Sequence, residues 1–280
     1  GGDTGHLPMP EVTLCFRMNP VLLIVAPVRP LMNRLFLLLC SLVLCSSAAL
    51  AEALRVGVAP DRPPLAFYDG ERIVGVEADS AKALGEILGR PVQWVPMPFD
   101  ALLEALQAGR IDIIMSGMSV TPEREQQVAF IDPYLNAGQM AIMRIDSVAR
   151  FGQPWSVYRD GVRVGVEAST TGEAWANTEL PDAQLTPFAD VSAGLAALRA
   201  GAIDLFVHDA PTSWLLATSD DYGDLISQYH FLTDEQLAWA VHRDTPALAA
   251  ELNRALATMR GNGTLEYIID RWIPVTVEVP

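Results

Sequence analysis

The stretch "GRIDIIMSG" (109–117) returns ninety-two residues later as "GAIDLFVHD" (201–209). Extended to the left, the two read "DALLEALQAGRID" (100–112) and "SAGLAALRAGAID" (192–204), identical at eight of thirteen positions. Each is an amphipathic run, then a glycine, then a short apolar segment. That is the pattern of a helix feeding a buried strand. The same supersecondary unit is written twice with different endings, Ser116-Gly117 in one copy and His208-Asp209 in the other. A buried strand that finishes on a carboxylate needs a reason.

The flanking sequence supplies it. "LRVGVAP" (54–60) predicts a strand, "EADSAKALGEILG" (77–89) a helix ended by Gly89, and "PVQWVPM" a second strand. Asp100 is expected to cap the next helix and Gly109 to end it, with "IDIIM" as the third strand. The pattern restarts at "VRVGVEA" (162–168), continues through "TTGEAWAN" and "AQLTPF", and takes Ser192 as the cap of the repeated helix. This β-α-β-α-β alternation implies parallel sheets. The expected fold class is therefore α/β, two doubly wound lobes joined by a two-segment hinge.

Two helical stretches follow, "PALAAELNRALATMRGNG" and "LEYIIDRWI", with no counterpart in the second copy. They are expected to return to the first lobe. That sets lobe 1 at 54–138 plus 240–275, lobe 2 at 139–239, and crossings near 137–142 and 235–241. Ligands of open α/β sheets bind beyond the carboxyl ends of the strands. Ser116-Gly117 and His208-Asp209 are then equivalent strand ends facing one cleft, and Asp209 points into it.

Residues 1–51 are expected to be a leader. Arg34 precedes "LFLLLCSLVLCSSAALA", an apolar core and then small residues, so a signal peptide cleaved after Ala51 is expected. The core from Leu35 to Leu44 is half of the roughly 20 residues a spanning helix needs. Bulky Leu44 before Cys45 argues against a lipid-anchored cysteine. The three cysteines, Cys15, Cys40 and Cys45, all precede Ala51, which excludes a disulfide framework or thiolate metal site after it. Four histidines show no ligand spacing, and no metal or cofactor is expected. Beyond Ala51 the chain carries 19 − 3 = 16 basic against 34 − 2 = 32 acidic residues. That balance argues against nucleic acid and anionic membranes.

Two walls of the expected cleft carry chemistry. In "SGMSVTPER" (116–124), Thr121 caps a helix with Pro122 at its first position. Arg124 then sits where the helix dipole disfavours a cation, so it wants an anion; its planar fork can grip a carboxylate, with Ser116 and Ser119 adding hydroxyls. A surface pair with a nearby carboxylate is the alternative. In "STTGEAW" (169–175), Thr170 and Glu173 form a capping box. The free amides around Thr170 and Thr171 suit an anion, although a plain helix cap accounts for the same residues. Asp209 opposite Arg124 suits a zwitterion, one group for –COO⁻ and the other for –NH₃⁺. Phe99 can wall the apolar part or serve as a core aromatic. His208 is expected to be structural or solvated.

With "GMSVTPEREQQVAFIDPYL", "LRVGVAPDRPPLAF", "GVEADSAKAL", "VGVEASTTGEAW" and "IDLFVHDAP", the chain resembles the periplasmic solute-binding proteins of amino-acid ABC transporters (extracellular solute-binding family 3) over about 54–275. The resemblance implies a type II periplasmic-binding fold whose lobes close on ligand and then dock on a membrane permease. It places the carboxylate-binding pair on Arg124 and Ser119, the threonine and amide site on Thr170 and Thr171, the amino-group aspartate on Asp209, and the stacking aromatic on Phe99. Gly117 and Ser116 line the same wall. The expected protein is a periplasmic, monomeric, non-enzymatic carrier of an amino acid or small carboxylate.

One departure stands out. Where the family commonly stacks an aromatic on the ligand from the first loop, this chain has Arg62, with Phe67 or Tyr68 as substitutes. Arg62 either points inward, where its charge repels cationic ligands and favours an acceptor or second carboxylate, or pairs on the surface with Asp61 or Asp69. Two other functions compete. A cyclohexadienyl dehydratase needs a proton donor soon after the aspartate, where this chain has Pro211, Thr212 and Ser213, the nearest acid being Glu173. A ligand-sensing input domain would need a separate signalling chain.

Overall fold

The computed structural model describes residues 52–273. The expected leader, its cleavage site after Ala51 and the end of the last expected segment lie outside the described residues. The first sheet is built on β1 (Leu54–Val58), flanked by β5 (Val92–Pro96) and β6 (Ile113–Ile114), both parallel to it. Helix α1 (Val76–Leu88) and helix α2 (Leu102–Gln107) make the two crossovers. The second sheet repeats the plan. β10 (Arg163–Glu167) lies between β11 (Gln184–Phe188) and β12 (Leu205–Asp209), linked by α5 (Thr171–Glu179) and α6 (Val191–Arg199).

Each sheet is completed by two further strands, one of which comes directly from a crossing and runs against the parallel set. β15 (Ala240–Val241) pairs antiparallel with β6 and with β7 (Ala129–Phe130) in the first sheet; β9 (Gln139–Arg144) pairs antiparallel with β12 and with β13 (Leu225–Ser227) in the second, so β7 and β13 again run with the parallel strands. The sheets are thus mixed rather than purely parallel. A strand that has just crossed from the other lobe enters at the carboxyl end of the sheet, so it can only run backwards. Between the sheets, β8 (Leu135–Ala137) pairs antiparallel with β14 (Glu235–Leu237), and these two strands carry both crossings. Helices α8 (Pro246–Gly261) and α9 (Thr264–Trp272) pack on the first sheet: Leu252, Leu256, Met259 and Ile268 share one core with Leu54, Val56 and Leu84.

Two expected caps are corrected. Asp100 lies inside a 3-10 turn (Phe99–Ala101), and α2 begins only at Leu102 without a side-chain cap. In the second copy Asp190 is the cap, its Oδ1 accepting the Ala193 amide at 2.7 Å, and Ser192 lies inside the helix. The copies enter their helices differently because the position that is Asp190 in the second copy is Pro98 in the first.

What the repeat preserves is an ionic clasp. Asp112 accepts the Arg55 backbone amide at 2.8 Å and grips its guanidinium from both oxygens, while that guanidinium also donates to the Gly109 carbonyl at 2.8 Å. Asp204 does the same to Arg163, at 3.1 Å for the amide and 2.6 Å for the shortest guanidinium contact, with Gly201 as the carbonyl partner at 2.8 Å. Each clasp ties the start of one strand to the helix-to-strand turn of the next. Gly57 and Gly165 make room beside it: a Cβ on either would collide with the Ile111 or Ile203 side chain. This accounts for the recurrence of "RVGV" and "ID" in both halves. The arginine contacts draw Asp112 and Asp204 below the usual carboxylate range against the opposing effect of burial.

In the first lobe a second buried carboxylate fixes the loop that follows β6. Glu77, fully buried, accepts the Gly117 amide at 2.7 Å, the Tyr134 hydroxyl at 2.6 Å and the Trp239 indole at 2.8 Å. Gly117 has a φ of 62°, a left-handed turn that glycine adopts without strain. One carboxylate thus joins the turn after β6 to residues beside both crossings. Burial pushes its pKa up, although three donors pull the other way.

Replacing Asp204 with Ala strands the Arg163 amide and guanidinium, so a loss of about 1–3 kcal/mol is expected. Asp204→Ala should cost more than Asp112→Ala, because the Asp204 side chain is 7% exposed and the Asp112 side chain 22%. A carboxylate whose folded pKa is lowered stabilises above its unfolded value and loses that contribution as pH falls through the folded value. The gap between wild type and variant, read by urea unfolding, should therefore be full at pH 7 and shrink below about pH 4. A gap that persists undiminished in acid contradicts the clasp.

Candidate functional site

The carboxyl ends of the two sets of parallel strands face each other, and the residues singled out in the sequence gather there with unequal roles. Arg124 lies in the short helix α3 (Pro122–Glu125), capped as expected by Thr121, whose hydroxyl accepts the Arg124 amide at 3.2 Å. The residue is 9% exposed, and its guanidinium reaches both lobes, donating to the Ser119 carbonyl at 2.9 Å and to the Ser169 carbonyl at 3.3 Å. Among the described residues no carboxylate lies within ion-pair distance of it. Burial lowers its pKa, Asp209 opposes, and the nearby charge of Arg62 lowers it further.

Arg62 is the contrasting case. It sits on β2 (Asp61–Arg62), which pairs with β3 (Ala66–Asp69) in a small sheet at the edge of the first lobe. Its side chain is 2% exposed and crosses to the second lobe. There it donates to Glu167 Oε2 at 2.6 Å and Asp209 Oδ2 at 3.0 Å. Its guanidinium carbon lies 3.8 Å from the centroid of the Phe99 ring, a close cation–π contact. The surface pairing with Asp69 does not occur; Asp69 pairs with Arg72. Nor do Phe67 or Tyr68 replace the family aromatic, since Phe67 packs edge-on against Trp272 and Tyr68 is 50% exposed.

Burial works to lower the Arg62 pKa, and the charges of Glu167, Asp209 and Asp61 outweigh it, so the pKa rises. Burial likewise pushes Glu167 up, but the Arg62 charge and a hydrogen bond from His208 hold it below the usual carboxylate range. His208 is buried, its Nε2 at 2.8 Å from Glu167 Oε2 and its ring stacked on Phe206. It is structural rather than solvated.

Asp209 ends β12 and is engaged from two sides. Oδ2 takes Arg62, and Oδ1 accepts the Gln139 side-chain amide, whose strand β9 pairs directly with β12. The carboxylate therefore faces the cleft, as its place in the repeat implies, but both oxygens already hold a donor.

The hydroxyl wall also has a protein partner. Ser119 Oγ donates to Glu235 Oε2 at 2.5 Å, and Thr171 Oγ1 donates to the same oxygen at 2.8 Å. Glu235 stands at the start of β14, so one carboxylate on the crossing strand bridges the two lobes. Thr170 accepts the Glu173 amide and donates to the Glu167 carbonyl at 2.7 Å. Glu173 reaches back to the Ser169 amide at 2.8 Å, one residue earlier than the expected capping box. Ser116 Oγ accepts the Ala59 amide at 2.9 Å, and the Gly117 amide is spent on Glu77. Those two shape the wall more than they present donors to the cleft.

Sequence reasoning missed Glu167, Gln139 and Glu235. The signal for Glu167 was available: it ends the strand "RVGVE" where the first copy has Ala59, the same irregularity that marked Asp209. Gln139 and Glu235 sit on the crossings, which the repeat does not cover.

The chain matches, over residues 54–275, the family described as bacterial extracellular solute-binding proteins, family 3. It is 30% identical over 234 residues to the ABC transporter arginine-binding protein 1 of Escherichia coli (strain K12), spanning 81% of this chain and 93% of that protein. Among solved structures, it resembles an ancestral arginine-binding protein bound to arginine at a TM-score of 0.74 and 30% identity, covering 80% of this chain and 99% of that one. It also resembles the ancestral amino acid-binding protein AncCDT-1, a precursor of cyclohexadienyl dehydratase, at a TM-score of 0.73 and 32% identity, covering 79% and 95%. With two α/β lobes built on a duplicated unit and a buried arginine between them, this chain belongs to the family 3 bacterial extracellular solute-binding proteins.

Proposed function

We propose that this protein binds an amino acid or related small carboxylate between its lobes and delivers it, as a periplasmic monomer, to the membrane permease of an ABC transporter. The observation that carries the binding step is Arg124. Arg124 is buried, its guanidinium is held by carbonyls from both lobes, and among the described residues it has no counter-charge in contact. Burying a charge without a pair is costly, and a ligand carboxylate removes that cost. Ser119 of the first lobe and Ser169 of the second bracket the guanidinium. A ligand held there touches both lobes, so binding favours closure about β8 and β14. The ammonium group of an amino acid falls to Asp209, whose oxygens can each accept a second bond.

A dehydratase is disfavoured by the residues after Asp209, which carry no acid, and by the engagement of Glu173 with the Ser169 amide. Glu167 is held as an anion by Arg62, so it is a poor proton donor at neutral pH.

Calorimetry against the twenty amino acids tests the reading. A ligand at 100 times its Kd should stabilise the fold by about 2.7 kcal/mol. Arg124→Ala should weaken that ligand by about 2–5 kcal/mol. Unchanged affinity removes Arg124 from the site. Small-angle scattering should show a smaller radius of gyration at saturation, and an unaltered profile contradicts closure.

A further inference from the structure

The two buried arginines of the cleft are in opposite states. Among the described residues Arg124 has no counter-charge in contact; Arg62 has two, and an aromatic face beneath it. Three features around Arg62 form a receptor for a guanidinium or ammonium group: the Phe99 ring, Glu167 at the end of β10, and Asp209 at the end of β12. Such an arrangement recognises a cationic side chain. Here the cation arrives on the protein's own first loop.

We propose that Arg62 is an internal stand-in for a ligand's cationic side chain, so that the wild-type cleft accepts amino acids with uncharged side chains and excludes basic ones by occupancy. This inference rests on the proposed binding function and names the ligand class of that site. It also corrects the expectation drawn from charge alone. Arg62 does not present a free positive charge that repels cations and attracts a second carboxylate. With Glu167 and Asp209 it forms a cluster of net −1, one positive charge against two negative. Exclusion of lysine, arginine or histidine is therefore steric, and nothing in the cluster favours an acidic side chain.

The cluster has unused hydrogen-bonding capacity. The Arg62 Nε, Glu167 Oε1 and Asp61 Oδ1 atoms are buried and have no partner among the described residues. Removing the Arg62 side chain leaves Glu167 and Asp209 facing Phe99 with a net charge of −2 and a guanidinium-sized space. That is a site for a basic amino acid, whose side-chain cation and ammonium group would share Glu167 and Asp209 while its carboxylate reaches Arg124.

The test compares the wild type with Arg62→Ala by calorimetry, using L-arginine and L-glutamine as probes, and by thermal melting with methylguanidinium at matched ionic strength. Charge-assisted hydrogen bonds to two carboxylates predict that L-arginine binds Arg62→Ala about ten- to a hundredfold tighter than it binds the wild type. Methylguanidinium should raise the melting temperature of Arg62→Ala and leave that of the wild type unmoved.

The inference is overturned if wild type binds L-arginine as tightly as Arg62→Ala, or if methylguanidinium acts equally on both. If Arg62→Ala does not fold alone, recovery of the folded signal with methylguanidinium supports the inference. Failure to recover, with a folded Arg62→Gln that binds L-arginine no better than wild type, overturns it. Rescue by methylguanidinium together with no response of either protein to any of the twenty amino acids upholds the cation subsite and defeats the proposed transport function.

Discussion

A single guanidinium, that of Arg62, ties the loop of the first lobe to two strand ends of the second. The remainder of the cleft is arranged around that contact. Placing a charge at 2% exposure demands compensation, and Glu167 and Asp209 supply it at 2.6 and 3.0 Å. Their own burial is tolerable for the same reason. Glu167 in turn orders His208, and Asp209 takes a further donor from Gln139 at the start of β9. The chain has thus drawn a set of buried polar groups from four separate strands into one network. Such networks are costly when partly satisfied, and each member is a poor candidate for independent substitution.

Arg124 gains its meaning from this background. Two arginines share one cleft and one aromatic ring, with guanidinium carbons 3.8 and 5.6 Å from the Phe99 centroid. Among the described residues only Arg62 has carboxylates in contact. In the proposed reading, that division separates two tasks a basic amino acid would impose on a single site, holding a carboxylate and holding a cation. Glu235 adds a link of a different kind, since it binds Ser119 and Thr171 from the strand that carries the return crossing. Contact between the lobes and the geometry of the crossings are therefore coupled through these two hydroxyl groups.

The duplicated "GxID" unit made the architecture legible, because a helix-to-strand turn bound by an aspartate recurs wherever the unit does. The clasp itself was not legible, since its arginine partner lies more than forty residues upstream in each copy. Asp209 was readable as a cleft residue because a carboxylate is out of place at the end of a buried strand. Glu167 carried the same mark, but the cap sequence directly after it, Thr170 to Glu173, accounts for that segment by local helix chemistry alone. Thr121, Thr170 and Arg124 were found through local helix-end chemistry. Glu235, Gln139 and the pairing of Arg62 were hidden because they depend on which crossing strand meets which wall, and a hydrophobic pattern holds no record of that. The strands of each repeated unit are parallel as expected, and the antiparallel members β9 and β15 were hidden for the same reason, since they come from the crossings, outside the repeat.

The contact between Arg62 and the second lobe is best measured as a distance. The chain has no cysteine after Ala51, so spin labels can be placed at Glu86 on α1 and Glu179 on α5, both exposed and away from the cleft. Pulsed electron resonance without added amino acid should give a single narrow distance distribution when Arg62 is present. Arg62→Ala should broaden that distribution and shift it to longer distances, as the two carboxylates lose the charge that draws the lobes together. Identical distributions for the two proteins would contradict the role assigned to Arg62.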